Sequence, residues 1–501
     1  MRGVMIRTTN LPFGLSLSKP CLSPFVREKK AALRQAQGER WGLGLALCLL
    51  LVSPAAAQQV APAAASPYQR SIAAGYKAAM LCSGMFNAGR TQAQVEETEL
   101  HGIYPEYQAI VPTLAARVDA STATVDVAWS DDLPPRHARW AAGKGCTTLP
   151  IGAAPTPAPP ARPGPAGADP RPWPMGDAGI APRPRAALAT TVGKAFDAAS
   201  YGAGSATIGV VVLRDGQVVA ERYADGWGPY ASNRTWSVAK SISGTVIGRA
   251  IGTRDYVGAE MTAPVPLRPD LVAIPQWSAP ADPRCAITLD HLLRMASGLH
   301  SDTAGNRTDA LYFGGATVED TAVPSPLVAK PGTRFRYANN DTLLAVYAMR
   351  WALGDERYAA APRTLFDQLG MRHTVAETDP RGNYILSSQV WSTARDLARL
   401  GQFWLQDGMW QGQRLMPAGW LTYMATPSGP QPASGPGYGA TMWLFGPKQG
   451  LPQGSYAAQG NRGQYVMVIP SKKLVVVRRG EDPGSARFDI AKFAADVAAT
   501  L

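Results

Sequence analysis

Apolar positions along the chain change period several times, and the changes mark out its elements. Ile72, Tyr76, Met80 and Leu81 recur at helical spacing and predict a helix over 68–85. Thr91 stands where a cap would open a second helix over 92–100, and a strand-like run, 123–129, follows. Periodicity then disappears. From 151 to 185 the chain is so rich in Pro, Ala and Gly that neither helix nor strand is expected, only a semi-extended spacer. Beyond it a helix over 186–198 leads into Ile208-Gly209-Val210-Val211-Val212-Leu213 and Val218-Val219-Ala220-Glu221-Arg222. These two runs flank Asp215-Gly216, a strong hairpin signal.

A helix starting near Ser237 and ending near Gly252 comes next, and the middle of the chain reads as helical, at 288–295, 341–353 and 393–406. Strands return at 438–444, 464–469 and 474–478, and a helix over 486–499 closes the chain. Strands at both ends with helices between them imply one sheet assembled from the ends of the segment 186–501, plus an inserted helical lobe. A cleft between the two is where a site is expected.

Composition alters this picture mainly at the N-terminus. The run 43–52 is apolar but too short to span a membrane. Basic residues through Arg40 precede it and Pro54-Ala55-Ala56-Ala57-Gln58 follows, so 1–57 reads as a leader cut after Ala57 and the protein as exported, periplasmic or secreted. Bulky Leu47 argues against lipidation at Cys48. Pro12, Pro20 and Pro24 in the first thirty residues suit neither a signal nor a fold, and suggest a start assigned too far upstream. The net charge is +12, and residues 1–57 hold eight basic and two acidic side chains, so +6 remains after the cut. No basic run with interleaved aromatics accompanies that charge, which argues against nucleic-acid binding.

Of five cysteines, Cys21 and Cys48 belong to the leader. In an exported protein Cys82 and Cys146 are candidates for one disulfide across a small module spanning 67–150, with Cys285 a lone buried thiol; three free thiols is the other reading. Cys-x-x-Cys and His-Glu-x-x-His are both absent and the five histidines are scattered, so the sequence supports no zinc site.

The chemistry is carried by three short stretches. Ser237 and Lys240 are one helical turn apart on one face. A lysine kept neutral by desolvation or by neighbouring positive charge can take the serine's proton. The unpaired N–H groups of the helix's first turn can face a developing oxyanion. The spacing proves nothing alone, since Ser16 and Lys19 in the leader share it and a solvated pair on a helix reads the same way. The second stretch is Lys330-Pro331-Gly332-Thr333-Arg334-Phe335-Arg336-Tyr337-Ala338-Asn339-Asn340, where a Pro-Gly turn is expected to deliver a short aromatic strand. There Tyr337 can relay a proton and Asn339 can orient Lys240 or a substrate amide; a packed tyrosine and a helix cap would look the same. The third is Ala458-Gln459-Gly460-Asn461-Arg462-Gly463-Gln464, a turn opening the last strand pair, where backbone can approach a ligand closely.

In this order the three stretches resemble the serine β-lactamase and penicillin-binding-protein superfamily. The run 287–299 and Lys330-Pro331-Gly332 are similar to its class C and esterase branch. Leu369-Gly370-Met371-Arg372-His373-Thr374 and Ala458-x-Gly460-x-x-Gly463-Gln464 look most like 6-aminohexanoate-dimer-hydrolase-like proteins. The resemblance covers about 190–500 and leaves the small module aside as accessory. It implies an α/β fold with an antiparallel sheet flanked by helices and an inserted helical lobe. It also implies Ser237 as acylated nucleophile, Lys240 as base, Tyr337 as proton relay and Asn339 as the residue holding lysine and substrate. The oxyanion hole would lie between Ser237 and the strand at Gln459, Gly460 and Asn461. No metal or organic cofactor is implied.

One departure bears on substrate. Where the resemblance calls for Lys-Thr-Gly, this chain has Ala458-Gln459-Gly460. Losing a charge-assisted hydrogen bond to a substrate carboxylate costs about 1.5–3 kcal/mol, enough to change preference. Arg462 is the nearest replacement cation in sequence. The expectation is therefore an ester or small amide as substrate. A β-lactamase or D,D-peptidase is the alternative within enzymes, and a non-catalytic envelope-binding protein the alternative outside them. The lack of Gly-x-Ser-x-Gly argues against a conventional α/β-hydrolase.

Overall fold

The computed structural model describes residues 65–153, 167–252, 274–279, 281–301 and 308–501. The leader with its cut site, Cys21 and Cys48, and the spacer segment 154–166 lie outside these residues. Among the described residues no helix is long and apolar enough to cross a membrane.

The valine runs explain the main sheet. Alternate side chains of a strand point to opposite faces, and here both faces are covered. Val211, Leu213, Val475 and Val477 face a core shared with Leu397 and Leu400 of the Ala394–Leu405 helix. Val210, Val212 and Val476 face a second core built on Leu188, Val192, Phe493 and Val497, from the Ala186–Lys194 and Ile490–Ala499 helices. The sheet has seven strands, all antiparallel, in the order Gly437–Tyr438, Trp443–Phe445, Ser455–Gly460, Gln464–Ile469, Leu474–Gly480, Thr207–Arg214, Gln217–Tyr223. Pairs such as Val477 with Val211 join the two ends of the segment 186–501. The expected single strand over 438–444 is two strands folded on each other. Thr441 takes φ +66° between them and Gly439 N donates to Met442 O across the turn.

The helical lobe is inserted between these ends, with Val238–Gly252 and Asn339–Leu353 at its centre. The aromatic strand expected before Tyr337 does not form. That stretch pairs with no neighbouring strand and is held extended by bonds such as Arg336 N to Met295 O, 2.8 Å.

The N-terminal module lays the Pro67–Phe86 helix across a four-stranded antiparallel meander, Ala116–Asp119 to Gly145–Thr148. A disulfide between Cys82 and Cys146 joins helix to last strand. Cys285 differs from expectation on both counts. It is half-buried and disulfide-bonded, not a lone buried thiol. The module's apolar core runs without a break into the helical lobe, from Ile72 and Tyr76 to Phe313. Gly75 makes that approach feasible, because a Cβ there would lie 1.9 Å from Phe313 O. Buried Glu377 completes the seam, accepting from Ser83 Oγ, Asn87 Nδ2 and Cys146 N at 2.5, 2.9 and 3.0 Å. The described part of the Pro-rich stretch is also docked. Trp173 Nε1 donates to Gly216 O at 2.8 Å, and Arg399 donates to the carbonyls of Pro174 and Gly176.

Candidate active site

Ser237 stands one residue before the first helical position, Val238, so its amide belongs to the helix end whose N–H groups lack intrahelical acceptors. Trp236 reaches that corner with φ +51°, a left-handed conformation that costs a non-glycine residue about 1–2 kcal/mol. Packing supplies the compensation. The Trp236 ring is buried, the Arg234 guanidinium lies 3.9 Å over it, and Tyr104 meets it edge-on. Such local strain is characteristic of functional corners.

Lys240 is buried one turn below, with Nζ 3.2 Å from Ser237 Oγ. Nζ also donates to Asn339 Oδ1 and, at 2.9 Å, to the carbonyl of Ser387. Burial lowers its pKa to about 7, and the nearby Arg234 charge acts in the same direction. Arg234 is itself fully buried. It donates to Ser388 Oγ at 2.7 Å and is surrounded by the Trp236, Tyr312 and Phe313 rings. Burial holds the Tyr337 hydroxyl well above the usual phenol range, and the nearby Ser237 side chain acts in the opposite direction. The Tyr337 ring lies 5.1 Å from Lys240 Nζ and packs against Trp443 and Tyr438.

The Ser455–Gly460 strand closes the other side. A Cβ at Gly460 would lie 2.3 Å from Thr235 O and 3.1 Å from Ser237 N, so only glycine lets this strand end meet the helix start. A cleft of about 350 Å³ lies above, lined by Ser237, Tyr337, Asn339, Gln459, Gly460 and Asn461 among others. Lys240 sits beneath Ser237. Ala458 is buried in the strand and presents no polar group.

Arg462 lines the cleft but its guanidinium is directed elsewhere. It pairs with Glu481 at 3.2 Å and donates to the carbonyls of Asp482, Glu481 and Thr98. The sequence pattern singles out none of Arg234, Ser387, Tyr312, Trp443 and Tyr104 as site residues. Only Arg234 left a signal, as a lone cation in the run leading to Ser237.

An antiparallel sheet closed from both ends of a segment, with an inserted helical lobe and a cleft at the junction, is the arrangement of serine hydrolases of β-lactamase-like fold. The chain belongs to the Beta-lactamase family, whose model matches residues 192–499, more than half of its length. It is thereby a serine hydrolase. It is also similar to the 6-aminohexanoate-dimer hydrolase of Paenarthrobacter ureafaciens, with 26% identity over 294 residues, covering 54% of this chain and 72% of the relative. Among solved structures, a Bacillus anthracis protein proposed to be a 6-aminohexanoate-dimer hydrolase gives a TM-score of 0.48 at 21% identity, covering 58% of this chain and 78% of that one. A class C β-lactamase gives 0.47 at 14% identity, covering 63% and 95%.

Proposed function

We propose that the protein hydrolyses an ester or small amide through an acyl-enzyme on Ser237, with neutral Lys240 as general base and Tyr337 as proton relay. One observation carries this reading: the set of partners around Lys240 Nζ. A neutral amine has two N–H donors and one lone pair. Asn339 Oδ1 and the Ser387 carbonyl take the two donors, which leaves the lone pair facing Ser237 Oγ. With a pKa of about 7 a large share of Lys240 is neutral near pH 7, where an unperturbed lysine would be almost wholly charged.

In the first step Oγ attacks the substrate carbonyl carbon as its proton passes to Nζ. The Ser237 amide, with a backbone donor from the strand end at Gly460 and Asn461, receives the oxyanion. Tyr337 stays protonated because it is buried, so it acts as a phenol, giving its proton to the departing oxygen or nitrogen and regaining one from Lys240. Water then enters, loses a proton by the same route in reverse and releases the acid.

Three observations support a substrate other than a β-lactam. The strand offers Ala458-Gln459-Gly460 without a cation, Arg462 is engaged by Glu481, and a relative is named for a 6-aminohexanoate dimer. One observation favours β-lactam or D-Ala-D-Ala peptide hydrolysis: Arg487 is an exposed guanidinium on the cleft wall. The Cys82–Cys146 disulfide accords with export by the leader 1–57, and 186–501 is read as the hydrolase domain with 67–150 as a small accessory module packed onto it.

A panel of p-nitrophenyl esters, short amides, nitrocefin and a D-Ala-D-Ala peptide, run on wild type and Ser237→Ala, tests the reading. Turnover fastest on esters or amides and abolished in the variant is expected. Faster turnover of nitrocefin or the peptide would move the assignment to the β-lactamase alternative, and a folded wild type inert to all of them would contradict hydrolysis at this site.

A further inference from the structure

The family match begins at residue 192, yet the cleft is not built from the matched segment alone. Tyr104, from the N-terminal module, lines it together with Trp236, Tyr312 and Ser237. Its half-exposed ring is fixed by edge-on contacts with Tyr76, Tyr107 and Trp236, at centroid distances of 6.1, 6.2 and 6.0 Å. Tyr76 is wholly buried and meets Phe313 at 4.7 Å, so the ring stands on the fused core and not on a surface loop.

The module that carries Tyr104 is anchored as well. Arg462, in the turn after the Ser455–Gly460 strand, donates to Thr98 O at 3.1 Å, and Arg90 lies 4.2 Å over the Trp227 ring. Tyr107 donates to Asp309 Oδ2 at 2.5 Å and Arg136 to Phe313 O at 2.9 Å. The module is therefore bonded on both sides of the cleft, to the C-terminal hairpin and to the helical lobe.

We infer that Tyr104 is a specificity-determining residue: the N-terminal module supplies a rigid aromatic wall beside Ser237 that restricts the substrate to a short acyl group. The inference rests on the hydrolase reading above. Three observations converge on it. The ring borders the same cleft as the nucleophile, it touches the residue preceding that nucleophile, and a volume of about 350 Å³ is near the lower end of small-molecule sites. A wall set against three rings, on a module bonded to both sides of the cleft, excludes bulk by clash.

The test compares p-nitrophenyl acetate with p-nitrophenyl octanoate on wild type, Tyr104→Ala and Tyr104→Trp. The octanoate-to-acetate ratio of kcat/KM is expected to rise roughly three- to tenfold in Tyr104→Ala and to fall in Tyr104→Trp; the ratio is the readout because any loss through the Trp236 contact is common to both esters and cancels in it. A merely structural role would lower both esters together and leave the ratio in place. An unmoved ratio in folded Tyr104→Ala, or in Tyr104→Trp should the alanine variant not fold, overturns the inference while hydrolysis still depends on Ser237. Hydrolysis that persists in Ser237→Ala contradicts the underlying reading instead.

Discussion

Lys240 carries a cost that its surroundings explain. An ammonium with three donors finds three acceptors there, but its Nζ is buried and near the Arg234 guanidinium. The folded chain therefore releases the proton near pH 7, whereas an unfolded lysine keeps it to about 10.4. Between those values the unfolded state binds more protons, so this residue makes folding more favourable as pH rises. Below pH 7 both states are protonated and the penalty is present in full. The expected outcome is that wild type gains on Lys240→Met between pH 7 and 9 by up to about 1.4 kcal/mol per pH unit, read from urea unfolding at each pH. A constant gap across that range would mean the lysine keeps its proton in the fold. The absolute gap at pH 7 is a poorer guide, since methionine strands two buried carbonyl acceptors at about 1–3 kcal/mol each.

Gly460 illustrates what elements contribute beyond residues. The strand end and the helix start meet only because nothing projects from this position toward Thr235 O and Ser237 N. Gly460→Ala is expected to push the strand from the helix and cost roughly 10²-fold or more in kcat on a p-nitrophenyl ester, with the far-ultraviolet spectrum of the folded protein retained. Activity within a few-fold of wild type would remove this strand from the oxyanion site. Elements of this kind are the most legible part of the sequence. Val210 to Leu213 and Val475 to Val477 had to be buried on both faces, and Asp215-Gly216 had to turn. The run 438–444 breaks into two strands because its turn is imposed from outside. Gly439 lies against Met424 O and Thr441 N donates to Leu293 O, neither of which local pattern records.

At the scale of the whole molecule, the unreadable features are those set by contacts between distant segments. Ser237, Lys240, Tyr337 and Asn339 could be selected because their chemistry is tied to short spacings. Tyr104 and Arg234 could not, since an aromatic or a cation becomes part of a site only through where the chain returns to it. The same holds for Arg462, whose side chain is committed to Glu481 and Thr98, and for Cys285, whose disulfide partner no spacing identifies.

The central claim, that a neutral Lys240 activates Ser237, is a claim about a rate and a pH. It is tested most directly by the rate at which a fluorophosphonate labels the protein between pH 5 and 9, with the adduct located by peptide mass spectrometry. The account predicts an adduct on Ser237 whose formation accelerates through about pH 7 and is nearly lost in Lys240→Met. A rate independent of pH across that range, or an adduct on another residue, would contradict it.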